Sequence, residues 1–213
     1  MFNQYPVNKQ LSTYEIETPD FWNDIYDNKV PAWGNEPAQI LKKFLMHFPH
    51  GAKILDIGCG EGRNSIHLSR LGYKVTGVDI SQSAINLAKS KESKCVFYCM
   101  DALNNKLDEK FDVIIDFGLF HFVPYEYREK YVDNIYSMLS NNGIYCNQSG
   151  RLISNDPIIG SNYVPPQLEK QELLDAFKKF TVKFIEEGVL PPYKHYGRYP
   201  CWNLLIQKTQ ELR

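Results

Sequence analysis

Three features that mark whole classes of protein are missing from this sequence. Its 24 Lys and Arg nearly balance 25 Asp and Glu, leaving a net charge of −1 over 213 residues, so the chain has no overall attraction to nucleic acid or anionic membrane. No apolar run approaches the roughly 20 residues that a transmembrane helix needs. The first residues lack a basic start followed by an apolar segment, so we predict no secretory signal. We therefore expect a cytoplasmic protein with no nucleic-acid partner and no membrane partner.

Paired cysteines and metal-ligand spacings are lacking as well. The five cysteines are an odd number without a signal peptide, which favours free thiols in a reducing compartment. Cys95 and Cys99 are four residues apart on a predicted strand, too far apart to hold one ion easily. No second pair of Cys or His has the spacing of metal ligands, so we expect no metal.

Short apolar runs alternate with amphipathic segments through the middle of the chain. We predict strands at 53–57, 73–79, 95–100, 111–116 and 144–146, with helices between them at 63–71, from 81 to 88 and at 124–139. Helices between successive strands imply crossover connections, and hence a mostly parallel sheet covered by helices on both faces. Two more strands, at 180–184 and 201–206, have no helix between them and are predicted to pair antiparallel at one edge.

The most informative segment is a glycine loop between the first strand and the helix that follows. Gly58, Gly60 and Gly62 alternate there, directly after Asp56. Glycines permit a tight turn and the close approach of a ligand, and the helix N-terminus offers free N–H groups. A dinucleotide site would have the spacing G-x-G-x-x-G, whereas this loop has G-x-G-x-G. A carboxylate at Asp56 suits the ammonium of an amino-acid ligand better than a pyrophosphate; the alternative is a purely structural glycine turn.

Two further acids follow the next two strands. Asp79 lies 21 residues after Gly58, where a carboxylate can accept both hydroxyls of a ribose. Ser81 already serves as the cap of the following helix, which leaves Asp79 available for this role. Asp101 can accept from the exocyclic amine of adenine, and the N–H of Ala102 can donate to the neighbouring ring nitrogen. The three acids thus suit an amino acid, a ribose and an adenine in that order.

These segments resemble the successive motifs of the class I S-adenosylmethionine-dependent methyltransferases. The resemblance rests on Asp56–Gly62, Val78–Ser81, Met100–Ala102 and Phe111–Ile114. More narrowly, Gly62–Ser65 and Gly72–Thr76 are similar to small-molecule methyltransferases of the tellurite-resistance and thiopurine type. The resemblance implies a Rossmann-like sheet of seven strands, with an antiparallel last strand inserted beside the fifth, and S-adenosylmethionine as the cofactor.

The resemblance also implies a set of cofactor contacts. They are Asp56, Gly58, Cys59, Gly60, Asp79, Ile80, Asp101 and Ala102, together with a fourth-strand end at Asp116 and Phe117 that faces the methyl group. We expect one domain over residues 1–213. Residues 1–50, with predicted helices at 19–26 and 36–48, would form a lid; residues 51–150 would bind the cofactor; residues 151–213 would add strands and loops on the substrate side.

Three more side chains are candidates for the site, each with a plainer alternative. Arg63 opens a helix, where its charge opposes the helix dipole, and either the carboxylate of the cofactor or Glu61 would offset it. Trp33 would close over the sulfonium by a cation–π contact or serve only in the core. His121 would act as a base, orient the methyl acceptor, or simply pack between rings.

We predict methyl transfer to a small molecule that is apolar or soft, with sulfur ahead of oxygen or nitrogen. The predicted pocket wall is ring-rich: Trp33, Phe117, Phe120, His121 and Phe122. Two alternatives stay open on the residues alone. One is a non-catalytic module that binds S-adenosylmethionine or a nucleoside, and the other is a nicotinamide-dependent oxidoreductase, which the glycine spacing disfavours. The chain is expected to be a monomer or a homodimer.

Overall fold

The alternating apolar runs fold into one sheet of seven strands. In the computed structural model, residues 18–27, 33–91, 93–104, 107–152, 166–190 and 199–209 are described. In chain order, the strands are β1 (Lys53–Ile57), β2 (Lys74–Asp79), β3 (Val96–Cys99), β4 (Phe111–Phe117), β5 (Leu139–Gly150), β6 (Phe180–Leu190) and β7 (Tyr199–Lys208). The helices are α1 (Pro19–Asp27), α2 (Leu41–Leu45), α3 (Arg63–Arg70), α4 (Gln82–Ser90), α5 (Arg128–Met138) and α6 (Lys170–Ala176).

The order of the strands across the sheet is β3-β2-β1-β4-β5-β7-β6. The first five strands pair in parallel, and β7 lies between β5 and β6, antiparallel to both. This confirms the predicted seven-stranded, mostly parallel sheet with its last strand inserted beside the fifth. The chain direction across the sheet reverses between β1 and β4, and in such sheets ligands bind outside the carboxyl ends of the strands at this point.

Alternating residues of the strands divide the core into two layers. On one face, Leu55 and Ile57 pack with Tyr131 and Ile135 of α5. On the other face, Ile54 packs with residues of α2 and α3. Both faces of the sheet are therefore covered, as the near-continuous apolar strands predicted. None of the helices in the described ranges is long and apolar enough to cross a bilayer.

Several elements differ in length from their prediction. The strand predicted at 180–184 runs to Leu190, and the helix predicted at 124–139 begins at Arg128. The helix expected at 36–48 is reduced to the five residues of α2, and before it the N–H of Ala38 donates to Oδ1 of Asn64 (2.9 Å). The fifth strand, predicted at 144–146, continues to Gly150 because the polar side chains near its end find partners inside the sheet. The sequence also predicts a turn at 31–34 and a loop at 154–166, and most of these residues lie outside the described ranges.

Candidate functional site

A cavity of about 280 Å³ opens at the carboxyl ends of the central strands. Its wall is built from five parts of the chain that are far apart in sequence. These are α1 with Trp33, the glycine loop, the ends of β2 and β3, the segment from Phe117 to Tyr127, and the facing ends of β6 and β7. The cavity therefore lies at the topological switch point between β1 and β4, where a doubly wound sheet binds its ligand.

The glycine loop turns tightly because its backbone bonds to the neighbouring strand. The N–H groups of Gly58 and Cys59 both donate to the carbonyl of Val78, at 2.8 and 3.0 Å. Gly60 has a φ of +54°, and a Cβ there would stand 2.5 Å from the Tyr26 hydroxyl. Any side chain at position 60 would therefore displace α1 or open the loop.

Asp79 joins the glycine loop to the start of α4. Its Oδ2 accepts from the N–H of Gly60 (2.8 Å) and its Oδ1 accepts from the N–H of Ser81 (2.9 Å). Burial raises the pKa of the carboxyl, and these backbone hydrogen bonds oppose the rise. Each carboxylate oxygen has a second lone pair, so Asp79, which lines the cavity, can still accept from hydroxyl groups of a ligand.

Asp101 and Ala102 also line the cavity, at the end of β3. Asp101 accepts from the N–H of Leu103 (2.8 Å) and from the side-chain amide of Asn104 (2.6 Å). These bonds fix the short turn that carries Ala102. The structure thus brings Asp79, Ile80, Asp101 and Ala102, four of the contacts named from the sequence, together along one wall.

Arg63 reaches back from α3 to the N-terminal segment. Its Nη1 donates to the carbonyls of Trp33 (3.1 Å) and Glu36 (3.0 Å), and burial lowers its pKa. Glu61 pairs with Lys91, whose Nζ lies 2.9 Å from its Oε2, and the negative charge of Glu61 also opposes the fall in the pKa of Arg63. Arg63 lines the cavity and has further donors available to a carboxylate.

Two predicted contact residues do not line the cavity. Asp56 is buried, and its Oδ2 accepts from the Ser65 hydroxyl (2.6 Å); burial raises the pKa of this carboxyl to about 7. Asp116 accepts from the hydroxyls of Tyr131 and Tyr145, both at 2.7 Å, and from two backbone N–H groups of the next turn. The carboxylate of Asp116 thus lies in the core, and only its neighbour Phe117 lines the cavity.

Rings from both sides of the cleft form the rest of the wall. Trp22, Tyr26 and Trp33 come from the N-terminal segment, and Phe117, His121 and Phe122 face them. The rings of Trp22 and Phe122 meet edge to face at 5.1 Å. Phe120, also predicted for this wall, is instead fully buried against Tyr131 and Phe177. Phe120 lies on the core side of the one-turn helix Phe120–Phe122, which places His121 and Phe122 toward the cavity.

His121 is buried and uncharged at neutral pH. Only 3% of its surface is exposed, and its ring centre lies 4.3 Å from that of Phe122. Burial lowers its pKa to about 3, and the positive charge of Arg128 contributes to this. Among the residues that the structure describes, none bonds to its Nδ1.

Some lining residues were not predicted from the sequence. Among them are Trp22, Leu119, Tyr127, Leu190 and Tyr199. Because β7 runs antiparallel to its neighbours, its first residue, Tyr199, lies at the cavity edge beside Leu190. The position of Tyr199 could have been inferred from the predicted antiparallel pair, because the start of a reversed strand lies at the same edge of the sheet as the ends of the parallel strands.

Comparison with known proteins agrees with this geometry. A family model described as a methyltransferase domain matches residues 54–143. The 2-heptyl-1-hydroxyquinolin-4(1H)-one methyltransferase of Mycobacteroides abscessus is 35% identical over 113 residues, 49% of this chain and 49% of that protein. The probable S-adenosyl-L-methionine-dependent methyltransferase TehB of Haemophilus influenzae is 37% identical over 102 residues, 40% of this chain and 35% of that protein. The chain spans about half or less of the length of these two relatives.

Solved structures share the fold over nearly the whole chain. One, described by the conversion of a disulfide bond into a thioacetal group during echinomycin biosynthesis, has a TM-score of 0.75 at 21% identity and covers 90% of this chain and 92% of that one. Another is the 1,6-didemethyltoxoflavin-N1-methyltransferase of Burkholderia thailandensis with bound 1,6-didemethyltoxoflavin and S-adenosylhomocysteine. Its TM-score is 0.68 at 18% identity, over 95% of this chain and 92% of that one.

The strand order, the cavity at the switch point and the family match point in one direction. Residues 54–143 match a methyltransferase domain, and the chain resembles the class I S-adenosylmethionine-dependent methyltransferases. Among the relatives, it is similar to proteins of the TehB type. The match counts against the nicotinamide-dependent oxidoreductase considered from the glycine loop.

Proposed function

We propose that this protein transfers the methyl group of S-adenosylmethionine to a small molecule held in the ring-lined part of the cavity. The observation that carries the proposal is the placement of Asp79. Its carboxylate lies on the cavity wall, fixed by the N–H groups of Gly60 and Ser81. Aspartate in this place, beside a glycine loop and ahead of Asp101, suits a ligand with a ribose between an amino acid and an adenine.

The donors and acceptors of the wall fit the whole cofactor. Asp79 would hold the ribose, while Asp101 and the N–H of Ala102 would hold the adenine. Arg63 would meet the carboxylate of the amino-acid part, and Gly58 and Gly60 let that part approach the backbone. Asp56 would act from behind the loop by holding Ser65 at the start of α3.

Bound S-adenosylmethionine supplies a methyl group already activated by a positively charged sulfur. The protein therefore has to align the acceptor with that methyl group and keep water out. Trp33 and Phe117 offer ring faces on the cavity wall that suit a cationic sulfur. Among the described residues, the segment from Phe117 to Pro124 contributes no carboxylate to the cavity wall, and His121 in that segment is a weak base because its pKa is about 3. A soft acceptor such as sulfur, which needs little base, fits this wall best.

We also propose that residues 1–50 act as a lid. Asn23 of α1 accepts from the Ser81 hydroxyl (2.8 Å) and from the N–H of Ser83 (3.2 Å), so α1 is tied to the start of α4. In that position Trp22 and Tyr26 cover one side of the cavity. For the location in the cell we propose the cytoplasm, because all five cysteines are free thiols and three of them are buried.

Titration with S-adenosylhomocysteine and an assay with labelled S-adenosylmethionine test the proposal. The full chain should bind S-adenosylhomocysteine and should transfer label to at least one member of a panel of thiols, tellurite, phenols and amines. For the substitution Asp79→Asn, the matched control is Asp112→Asn. Asp112 also accepts from a backbone N–H, that of Lys53 (2.9 Å), but it lies away from the cavity. Tight binding without transfer to any of the panel would favour the non-catalytic module. A chain that binds NAD and not S-adenosylhomocysteine would refute the proposal.

A further inference from the structure

Arg63 joins the proposed N-terminal lid to the wall of the cavity. Its Nη1 donates to the carbonyls of Trp33 (3.1 Å) and Glu36 (3.0 Å), both of which follow α1 in the chain. The side chain is half-buried and also lines the cavity. A guanidinium has five N–H donors, and those of Nε and Nη2 bond to no described residue. These remaining donors are therefore available to a molecule in the cavity.

Two rings of the lid lie close to Arg63. Tyr26 of α1 is buried against Ala84 of α4, and its hydroxyl reaches the glycine loop at Gly60. The same hydroxyl accepts a hydrogen bond from the indole of Trp33. Tyr26 is also near enough to influence the pKa of Arg63. With the lid in this position, the guanidinium is therefore largely removed from water.

This position of the lid costs free energy at Arg63. Burial is the largest influence on its pKa and lowers it, because the charged form has lost part of its hydration. The negative charges of Asp56 and Glu61 oppose this fall. However, Asp56 bonds to Ser65 and Glu61 pairs with Lys91, and neither bonds to the guanidinium. The two backbone carbonyls that do bond to it are neutral, so they satisfy donors without neutralising the charge.

A carboxylate on the ligand would offset this cost. It forms charge-assisted hydrogen bonds with a guanidinium, and these are stronger where water is excluded than on an open surface. The carboxylate therefore interacts more favourably with Arg63 when the lid covers it. A ligand that binds one conformation more tightly shifts the protein toward that conformation. The amino-acid portion of S-adenosylmethionine carries such a carboxylate, and its adenosine portion does not.

We propose that Arg63 couples the carboxylate of the cofactor to closure of the lid, so that the amino-acid portion of the cofactor holds α1 over the cavity. This inference rests on the proposed function and adds the condition under which the lid closes. A compound with the adenosine portion alone should occupy the site and leave the lid free to open. Because linkage is reciprocal, loosening the lid should weaken the binding of a ligand with the carboxylate more than that of a ligand without it.

Hydrogen exchange of the amides of α1 tests the coupling without any measurement of activity. S-adenosylhomocysteine contains the amino-acid portion, and 5′-methylthioadenosine lacks it. With the full chain saturated by S-adenosylhomocysteine, we expect exchange in α1 to slow about tenfold, the effect of one hydrogen bond between charged groups. Saturation with 5′-methylthioadenosine should slow it less than about twofold, because that bond is not formed.

Variants of two arginines in α3 assign the effect to one side chain. Arg63→Gln keeps a polar side chain and removes the charge, and it should reduce the protection by S-adenosylhomocysteine to that given by 5′-methylthioadenosine. Arg70→Gln makes the same change at an exposed position outside the cavity and should leave the protection intact. If Arg63→Gln does not fold, the methyl ester of S-adenosylhomocysteine removes the carboxylate charge instead. In the unmodified protein, this ester should protect α1 no more than 5′-methylthioadenosine does.

Three results would overturn the inference: equal protection of α1 by S-adenosylhomocysteine and 5′-methylthioadenosine, full protection in folded Arg63→Gln, or full protection by the ester. Failure of the proposed function has a different appearance. A chain that does not bind S-adenosylhomocysteine would refute the proposed function and this inference together. A chain that binds it and transfers label, but whose α1 is protected equally by both ligands, would refute the inference alone.

Discussion

Replacing Asp79 by asparagine perturbs the cofactor site at the side chain that joins two of its loops. In the native protein, one carboxylate oxygen accepts from the N–H of Gly60 and the other from the N–H of Ser81. An amide offers one oxygen and one NH₂ group, so one of these two N–H groups would face a donor. The substitution also removes the negative charge that we assign to the ribose hydroxyls.

The size of the effect follows from the bonds that are lost. A hydrogen bond to a charged group contributes about 1.5–3 kcal/mol, and 1.4 kcal/mol corresponds to a tenfold change in a dissociation constant. We therefore expect Asp79→Asn to weaken binding of S-adenosylhomocysteine by about tenfold to a hundredfold. The lost backbone bond should also lower the free energy of unfolding by about 1–3 kcal/mol.

Calorimetric titration and denaturant unfolding separate these two effects. Asp112→Asn makes the same change of carboxylate to amide at the other end of the sheet, where one side-chain oxygen accepts from the N–H of Lys53. The amide oxygen can still accept from that N–H, so this variant should show little loss of stability and no loss of affinity. An unchanged dissociation constant for folded Asp79→Asn, or an equal loss of affinity in Asp112→Asn, would refute the assignment of Asp79 to the ribose.

Substitutions at three further positions test groups in the cavity wall and behind it. Asp116→Ala leaves four buried donors without their acceptor and should lower the free energy of unfolding by several kcal/mol at about 1–3 kcal/mol each. Asp116→Asn should cost much less, because its oxygen still serves both N–H groups and its amide can donate to both tyrosine hydroxyls; equal losses in denaturant unfolding would contradict this. Burial raises the pKa of Asp56 from 3.8 to about 7, so the folded protein retains a proton that the unfolded chain releases. The wild type should therefore lose stability relative to Asp56→Asn as the pH rises from about 4 to 7. If the unfolding midpoints of the two proteins differ by the same amount at pH 5 and at pH 8, this prediction is wrong. His121→Ala should lower kcat by less than about tenfold, and neither protein should show a histidine limb between pH 5 and 8, because burial lowers the pKa of His121 to about 3. A limb near pH 6–7 that disappears with the mutation, together with a hundredfold loss, would make His121 a general base.

Elements bounded by strong local signals could be predicted closely from the sequence. The first strand was predicted at the residues where β1 lies, because its apolar run is bounded by glycine on one side and by a charged residue on the other. Ser81 was predicted to cap the second helix of the central region, α4, and its hydroxyl accepts from the N–H of Ala84 (3.1 Å). In both places the deciding interaction lies within a few residues of the signal.

The misplaced residues depend on contacts across the fold. Before α2, the N–H of Ala38 bonds to Asn64, 26 residues away, a contact that the local pattern does not contain. The polar sequence at the end of β5 is typical of a loop. In the structure, however, the side-chain amide of Gln148 donates to Asn203 on β7 (2.8 Å). The direction of the Asp116 side chain, however, could have been predicted from the alternation along β4. Adjacent residues of a strand point to opposite faces, so Asp116 and Phe117 could not both face the methyl group.

The two halves of the cavity come from different parts of the fold. Parallel strands end in loops whose free N–H groups can hold a carboxylate, as Gly60 and Ser81 hold Asp79. The cofactor half therefore acquires its acids from the part of the fold that defines the class. The other half is lined by Leu190 and Tyr199, from the antiparallel strands, and by the turn that follows β4. These residues make none of the hydrogen bonds that hold the glycine loop, so changes at Leu190 should alter which acceptor fits while leaving the affinity for S-adenosylhomocysteine unchanged.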